Sequence, residues 1–393
     1  MNDREEVRVP ASSLQDSPDI QRTVRSSRAP WSRARRIVAV ATVLLIVAFL
    51  GASLVSVPYE AITPGSALNV ASLITVPPAH RHVHSGSISM VDVNLVSLNA
   101  ISYLADKLNH DDQVLSTTQV VGSESSSAYN EQGVLDMVSA QQAATYVAFR
   151  QLGWPVTLKF GGLVVYATEP GSPAQPSSGI APLLPGDALH KIDGRPLSSV
   201  TSLQTQLRTL KPGSSVSLSL SRQRSSAPHV AELRLGVIIT HNGVTQCRPV
   251  TRSSGASGRP CIGVQLEVVA TPTNLPFPVD LNAEGIIGPS AGLAFTLGLM
   301  NALNTGSLTG GLRIAATGTM STDGAVGDVG GVAQKTIAVR RAGAQLFFVP
   351  TAELAVARAN AGPTMSVYGV SSITTVMQIL EQHGGVIVKE FVR

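Results

Sequence analysis

Two short segments of this chain set reactive side chains where an acyl group could be attacked. In the first, Glu284-Gly-Ile-Ile-Gly-Pro-Ser-Ala-Gly292, Ser290 stands in a glycine-rich turn that opens a helix. First-turn amides of a helix point outward without acceptors, so they can hold an oxyanion that develops beside such a serine. Gly288 and Ala291 are the candidate positions for that role, and Gly288 and Gly292 permit close backbone approach. A serine at a helix start also serves as a plain N-cap, so this segment alone leaves nucleophile and cap both open. The second segment, Gly330-Gly-Val-Ala-Gln-Lys-Thr-Ile-Ala-Val339, carries Lys335 among Val332, Ala333, Ile337 and Ala338. A lysine in such surroundings loses hydration, its charged form is disfavoured and its pKa falls. The positive end of its own helix acts in the same direction. A neutral lysine can then take the serine proton in place of histidine. Lysine is scarce here, 6 residues against 23 arginines, so one in an apolar helix is not filler.

Around these residues the spacing predicts an α+β unit from about 262 to 393. Helices are expected over SAGLAFTLGLMNAL, GGVAQKTIAVRRAG and SITTVMQILEQ, and strands over RIAATGTM and QLFFVP. A β-rich unit is expected over 156–240, its strand-like runs split by Gly/Pro turns, with one helix over Ser199–Leu210. Residues 58–155 are expected to pack against both units. They contain a strand over 86–97 and a helix over 131–152 that buries Val134, Met137, Ala140, Ala144 and Val147, stopped by Gly153 and Pro155.

The stretch 37–57, IVAVATVLLIVAFLGASLVSV, is uncharged and long enough to cross a bilayer core of ~30 Å as a helix. Six arginines between Arg22 and Arg36 precede it, so the positive-inside rule keeps residues 1–36, a polar and disordered basic tail, in the cytoplasm and exports the rest. The alternative is a cleaved signal peptide, disfavoured by the long tail and long apolar run. The result expected is a single-pass protein of the cell membrane with its catalytic part outside. The net charge of +4 comes from that arginine cluster and aromatic residues are only 4%, which argues against nucleic-acid binding. No GxxxxGK[ST] phosphate loop occurs, so no ATP and no other cofactor is expected. Cys247 and Cys261 fall on the exported side, where two thiols can pair across a polar loop. They are too few for a metal site, and His80, His82 and His84 have no carboxylate to complete one, so no metal is expected.

The blocks Gly288-Pro-Ser-Ala-Gly292, Ala316-Thr-Gly-Thr319, Asp323-Gly-Ala-Val-Gly327 and Val329-Gly-Gly-Val-Ala-Gln-Lys335 resemble, in order and spacing, the proteolytic domain of Lon-type peptidases. The resemblance covers about the last 130 residues. It implies a Ser290 nucleophile, a Lys335 base and Thr317 close to both. Thr319 departs from the glutamate usual in the ATP-dependent members. The middle unit resembles a bacterial-protease PDZ domain through Gly161-Gly-Leu-Val-Val165, Gly171-Ser-Pro-Ala174 and Leu184-Pro-Gly-Asp-Ala-Leu-His-Lys-Ile-Asp-Gly-Arg-Pro196. That likeness implies peptide capture by strand addition, with Gly161, Gly162, Leu163 and Val164 as the carboxylate-binding segment. The whole order resembles the membrane-anchored PDZ peptidases of Gram-positive bacteria, and implies protein or peptide substrates and a homo-oligomer such as a hexamer. Two rivals remain at this level. One is a tethered PDZ binding protein with an inactive peptidase fold. The other is an esterase, since GPSAG also fits G-x-S-x-G with Asp328 and His383 downstream, although the HGGG oxyanion motif is missing.

Overall fold

Apolar runs that are buried on both faces make parallel strands, and the last third of this chain is built from them. In the computed structural model, residues 33–122, 126–175, 182–222, 225–241, 243–251, 258–283 and 285–389 are described. The basic tail expected over 1–36 lies outside them through residue 32. The chain divides into two units, residues 1–52 and 53–393.

α1 (Arg33–Leu54), all but its last two residues in the first unit, is a helix of 22 residues. At ~1.5 Å per residue it is long enough for a bilayer core, and its stretch Arg35–Leu54 is apolar enough to cross one. The span expected over 37–57 is corrected at its end. Ser56 and Val57 belong to the first strand, where Ser56 pairs with Asn99.

The second unit opens with β1 (Ser56–Asn69), β2 (Ile74–Thr75), β3 (Ser87–Asn99), α2 (Ala100–Leu108), β4 (Gln113–Ser116), α3 (Thr117–Val121) and α4 (Ser126–Gln151). There follow β5 (Thr157–Thr168), β6 (Ala188–Ile192), β7 (Arg195–Pro196), α5 (Val200–Arg208), β8 (Ser215–Arg222), β9 (Ser225–Arg234), β10 (Gly236–His241), β11 (Val244–Arg248), β12 (Pro260–Cys261) and β13 (Val264–Thr273). The chain closes with β14 (Asp280–Leu281), α6 (Gly292–Leu303), β15 (Arg313–Ala316), β16 (Thr319–Met320), β17 (Val326–Gly327), α7 (Val332–Arg341), β18 (Leu346–Pro350), α8 (Leu354–Asn360), β19 (Ser366–Val370) and α9 (Ile373–Gln382).

The main sheet has the order β19-β18-β15-β3-β1-β4. β3, β15, β18 and β19 run parallel, and β1 is antiparallel to β3 and β4. Side chains alternate across it. Ile314, Ala316, Leu346 and Phe348 join the core shared with α4, α6 and α9, whereas Ala315, Phe347 and Val349 join the core under α7 and α8. α6 is buried along nearly its whole length, as a helix apolar on all sides must be. Gly298 lets β2 and the turn before it press close, since a Cβ there would lie 2.3 Å from Val70. On α4 the expected stripe holds at Met137, Ala140, Ala144 and Val147, but Val134 is exposed.

Two domain boundaries change. Residues 58–155 do not merely pack against the peptidase-like unit, because β1, β3 and β4 are strands of its sheet. The PDZ-like unit does not end at 240, because its five-stranded path β13-β5-β6-β8-β9 is closed by β13, far along the chain. It is therefore inserted between α4 and β14 of the other fold. Strand pairing at that separation leaves no local pattern in the sequence. Between β9 and β13 lies a small sheet, β11-β10-β12. Cys247 and Cys261 are joined across it, S–S 2.05 Å and Cα–Cα 5.9 Å.

Candidate active site

Ser290 occupies the middle of a 3₁₀ turn, Pro289–Ala291, that runs straight into α6. Pro289 sits at its first position, where a missing N–H costs nothing. Gly288 enters the turn at φ +92°, a conformation side chains resist. The Gly288 N–H donates to the Gly133 carbonyl of α4 at 2.7 Å. It is therefore committed, and Gly288 shapes the turn rather than supplying an oxyanion donor. Gly133 lets Ile287 pack closely on α4, because a Cβ would lie 2.9 Å from the end of that side chain.

The next segment stitches the turn to the sheet. The Gly318 N–H donates to the Ser290 carbonyl at 2.9 Å, and the Leu293 N–H donates to the Gly318 carbonyl at 3.1 Å. Thr317, fully buried at the end of β15, donates from its hydroxyl to the Ser290 carbonyl at 3.3 Å. The same hydroxyl accepts from the Lys335 Nζ at 3.3 Å. One threonine thus bridges the serine's backbone and the lysine's amine. Sequence reasoning reached Thr317 only through family likeness.

Lys335 lies on α7, which Gly331 starts in the left-handed region, φ +68°. Its residue is 3% exposed. Burial lowers its pKa from 10.5 to about 8, against the opposing pull of Asp92 on β3 and Glu353 before α8. Neither acid was singled out in the sequence, because each comes from a separate strand or turn. Asp92 accepts from the Ser66 N–H at 2.5 Å. Glu353 accepts from the Val329 N–H at 3.2 Å, and its other oxygen is buried without a partner.

The residues of the rival readings fall elsewhere. His383 caps α9, and its Nε2 lies 2.8 Å from the Tyr368 hydroxyl. Asp328 is exposed. His80 stacks on Phe277, and the His84 Nε2 is 2.8 Å from the Asn304 carbonyl. Among the described residues no cluster of three or more metal-ligating side chains occurs.

Within the segment Gly161–Val164, Leu163 and Val164 are corrected as a peptide-docking edge. Leu163 and Val164 pair with Val268 and Glu267 of β13 on one side and with Leu189 and Ala188 of β6 on the other. Both backbone edges are used at Leu163 and Val164, and Leu163 is fully buried, whereas Gly162 pairs only with Val269 of β13 and Gly161 falls at a bulge in that pairing. The edge strands of this sheet are β13 and β9, and β13 is the one beside α5. Beside it runs a groove of about 760 Å³, lined by Val200, Leu203 and Leu207 of α5, Val264 and Leu266 of β13, and Val244 of the disulfide-tied sheet. The outer face of the same β-rich sheet meets α4. There the Tyr166 hydroxyl donates to Asp136 at 3.4 Å, and burial, then Glu267, raise the Asp136 pKa to about 6. α4 therefore touches both the β-rich sheet and the serine turn.

This arrangement belongs to a two-part class, a peptidase fold with a peptide-binding insert. Residues 283–381 match the family model of the Lon protease (S16) C-terminal proteolytic domain, and residues 147–228 match that of the PDZ domain. The chain carries both domains. No curated protein matches it. Among solved structures, the PDZ domain of an SdrC-like protein from Listeria monocytogenes is 19% identical, with TM-score 0.20, over 28% of this chain and 92% of that one. The second domain of a Listeria protein, solved in solution, is 21% identical, with TM-score 0.20, over 28% and 86%.

Proposed function

We propose that the chain is a membrane-anchored, ATP-independent serine endopeptidase in which Ser290 attacks and Lys335 is the base. The observation that carries this is Lys335 itself, buried, lowered to about 8 and bonded to the threonine that holds the serine turn. Neutral Lys335 takes the proton of the Ser290 hydroxyl as its oxygen adds to a peptide carbonyl. The Ala291 amide faces the negative oxygen that forms. The lysine then returns the proton to the departing amine, leaving an acyl-serine that water cleaves by the same route in reverse. α1 anchors the enzyme with residues 1–36 inside and the peptidase outside, by the positive-inside rule. A fluorophosphonate probe should label the wild type, and labelling should vanish in Ser290→Ala. Labelling that survives that substitution refutes the assignment.

In this reading the PDZ domain captures substrate as an added strand on β13, with its side chains in the groove against α5. Leu207→Asp, at a partly buried position that lines the groove, would put an unpaired charge where an apolar side chain should dock. Cleavage of long substrates should then fall about tenfold, roughly 1.4 kcal/mol of binding, and a short fluorogenic peptide should be cut as before. Equal losses on both would assign the domain to scaffolding.

A further inference from the structure

We propose that α2, with the adjoining ends of β1 and β3, forms a face that lies on the lipid bilayer. This rests on the reading of α1 as an anchor. α1 ends at Leu54 and β1 begins at Ser56, so a single residue, Val55, separates the apolar span from the first strand. The Val55 carbonyl accepts the N–H of Ala100, the first residue of α2, at 3.1 Å, and Ser56 pairs with Asn99. The start of α2 is thereby tied to the point where the chain leaves the span. A nine-residue helix is only ~14 Å long, so all of α2 stays near that point.

Its side chains suit the place. Leu104 and Leu108, one turn apart on one face, are 63% and 79% exposed. Val55, Leu95 and Val96 are exposed as well. Single exposed leucines on a soluble surface need no explanation, but Leu104 and Leu108 lie on the short helix whose first amide is bonded to Val55, where the chain emerges from its anchor. Leu95 and Val96, consecutive in β3, point to opposite faces of the strand. The rings of Tyr59 and Tyr103 lie 4.7 Å apart, and the Lys107 Nζ donates to the Tyr103 hydroxyl at 3.1 Å. Tyrosine and a lysine with a long apolar stem are the residues that suit a headgroup boundary. A short amphipathic helix of this kind lies in the interface plane. Asp106, Asp111 and Asp112 oppose anionic headgroups, so apolar insertion carries the contact, and neutral lipid should suffice. The turn after α2 reaches the lysine helix. Asp111 pairs with Arg341, and its carbonyl accepts from the Gln334 Nε2 at 3.4 Å, both on α7. The face would hold that helix close to the bilayer, where membrane-proximal segments of other proteins are the accessible substrates.

The test uses the full chain with single added cysteines, Leu45→Cys, Leu104→Cys, Leu108→Cys and Val230→Cys, each labelled with an NBD fluorophore. Each is reconstituted in phosphatidylcholine vesicles with and without doxyl-labelled lipid. Emission at 104 and 108 should be blue-shifted and quenched severalfold more than at Val230 on the PDZ domain, approaching position 45 in the span. Quenching at 45 with water-like emission at 104 and 108 overturns this proposal and spares the anchor. No quenching at 45 overturns both. Blue-shifted emission at 104 that lipid does not quench, and that is lost on dilution of the protein, assigns the face to a second copy and overturns the bilayer.

Discussion

Ser290→Ala and Lys335→Ala should each reduce peptide hydrolysis to background, and the double variant should be no worse than either. Groups that act as one unit do not add, and loss of either member of such a pair typically costs ~10³-fold or more. Thr317→Val should keep the fold and cost less, because it removes only the hydroxyl between the two. The pH profile is the sharper check. Only neutral Lys335 accepts a proton, so the rate should rise with pH and level off above about 8. Glu353→Gln removes one of the two charges that hold this pKa up, so the rise should move to lower pH. His383→Ala should leave the rate nearly unchanged, as its ring serves Tyr368. A dead His383→Ala beside an active Lys335→Ala would return the site to the esterase reading.

Lys335→Met should kill activity and stabilise the protein. A buried ammonium whose pKa falls from 10.5 to about 8 disfavours the folded state whenever it is protonated. Two to three pKa units correspond to roughly 3 kcal/mol. The sign follows from proton counts. Below about pH 8 both folded and unfolded lysine carry the proton, and the penalty is fully present. Between about 8 and 10.5 the unfolded chain binds more protons, so wild-type stability rises with pH from this group. Lys335→Met, close in volume and uncharged, lacks the penalty and this part of the slope. Its denaturation midpoint at pH 7 should exceed that of the wild type, and the gap should narrow toward pH 10. A midpoint below that of the wild type at pH 7 would mean that the bond to Thr317, with Asp92 and Glu353, offsets burial completely.

The sequence by itself determined the elements whose patterns are local. The all-apolar run after Ser290 makes α6, the continuous apolar run at 346–350 makes β18, and Ser199 with Ser202 caps α5. It also supplied Ser290, Lys335 and the two cysteines, because glycine turns and a lone lysine among small apolar residues are visible in a few positions. Tertiary structure decided what depends on distant pairing. β1 and β3 joined the peptidase sheet, and β13 closed the PDZ sheet across the insert, because backbone hydrogen bonds between strands carry no side-chain signature. For the same reason Leu163 and Val164 looked like part of an open loop and proved to lie between two strands. Charges were hidden as well. Asp92, Glu353 and the Asp136–Glu267 contact arise where separate elements meet, and an acid's effect on a neighbour depends on distance in space, which spacing along the chain does not report.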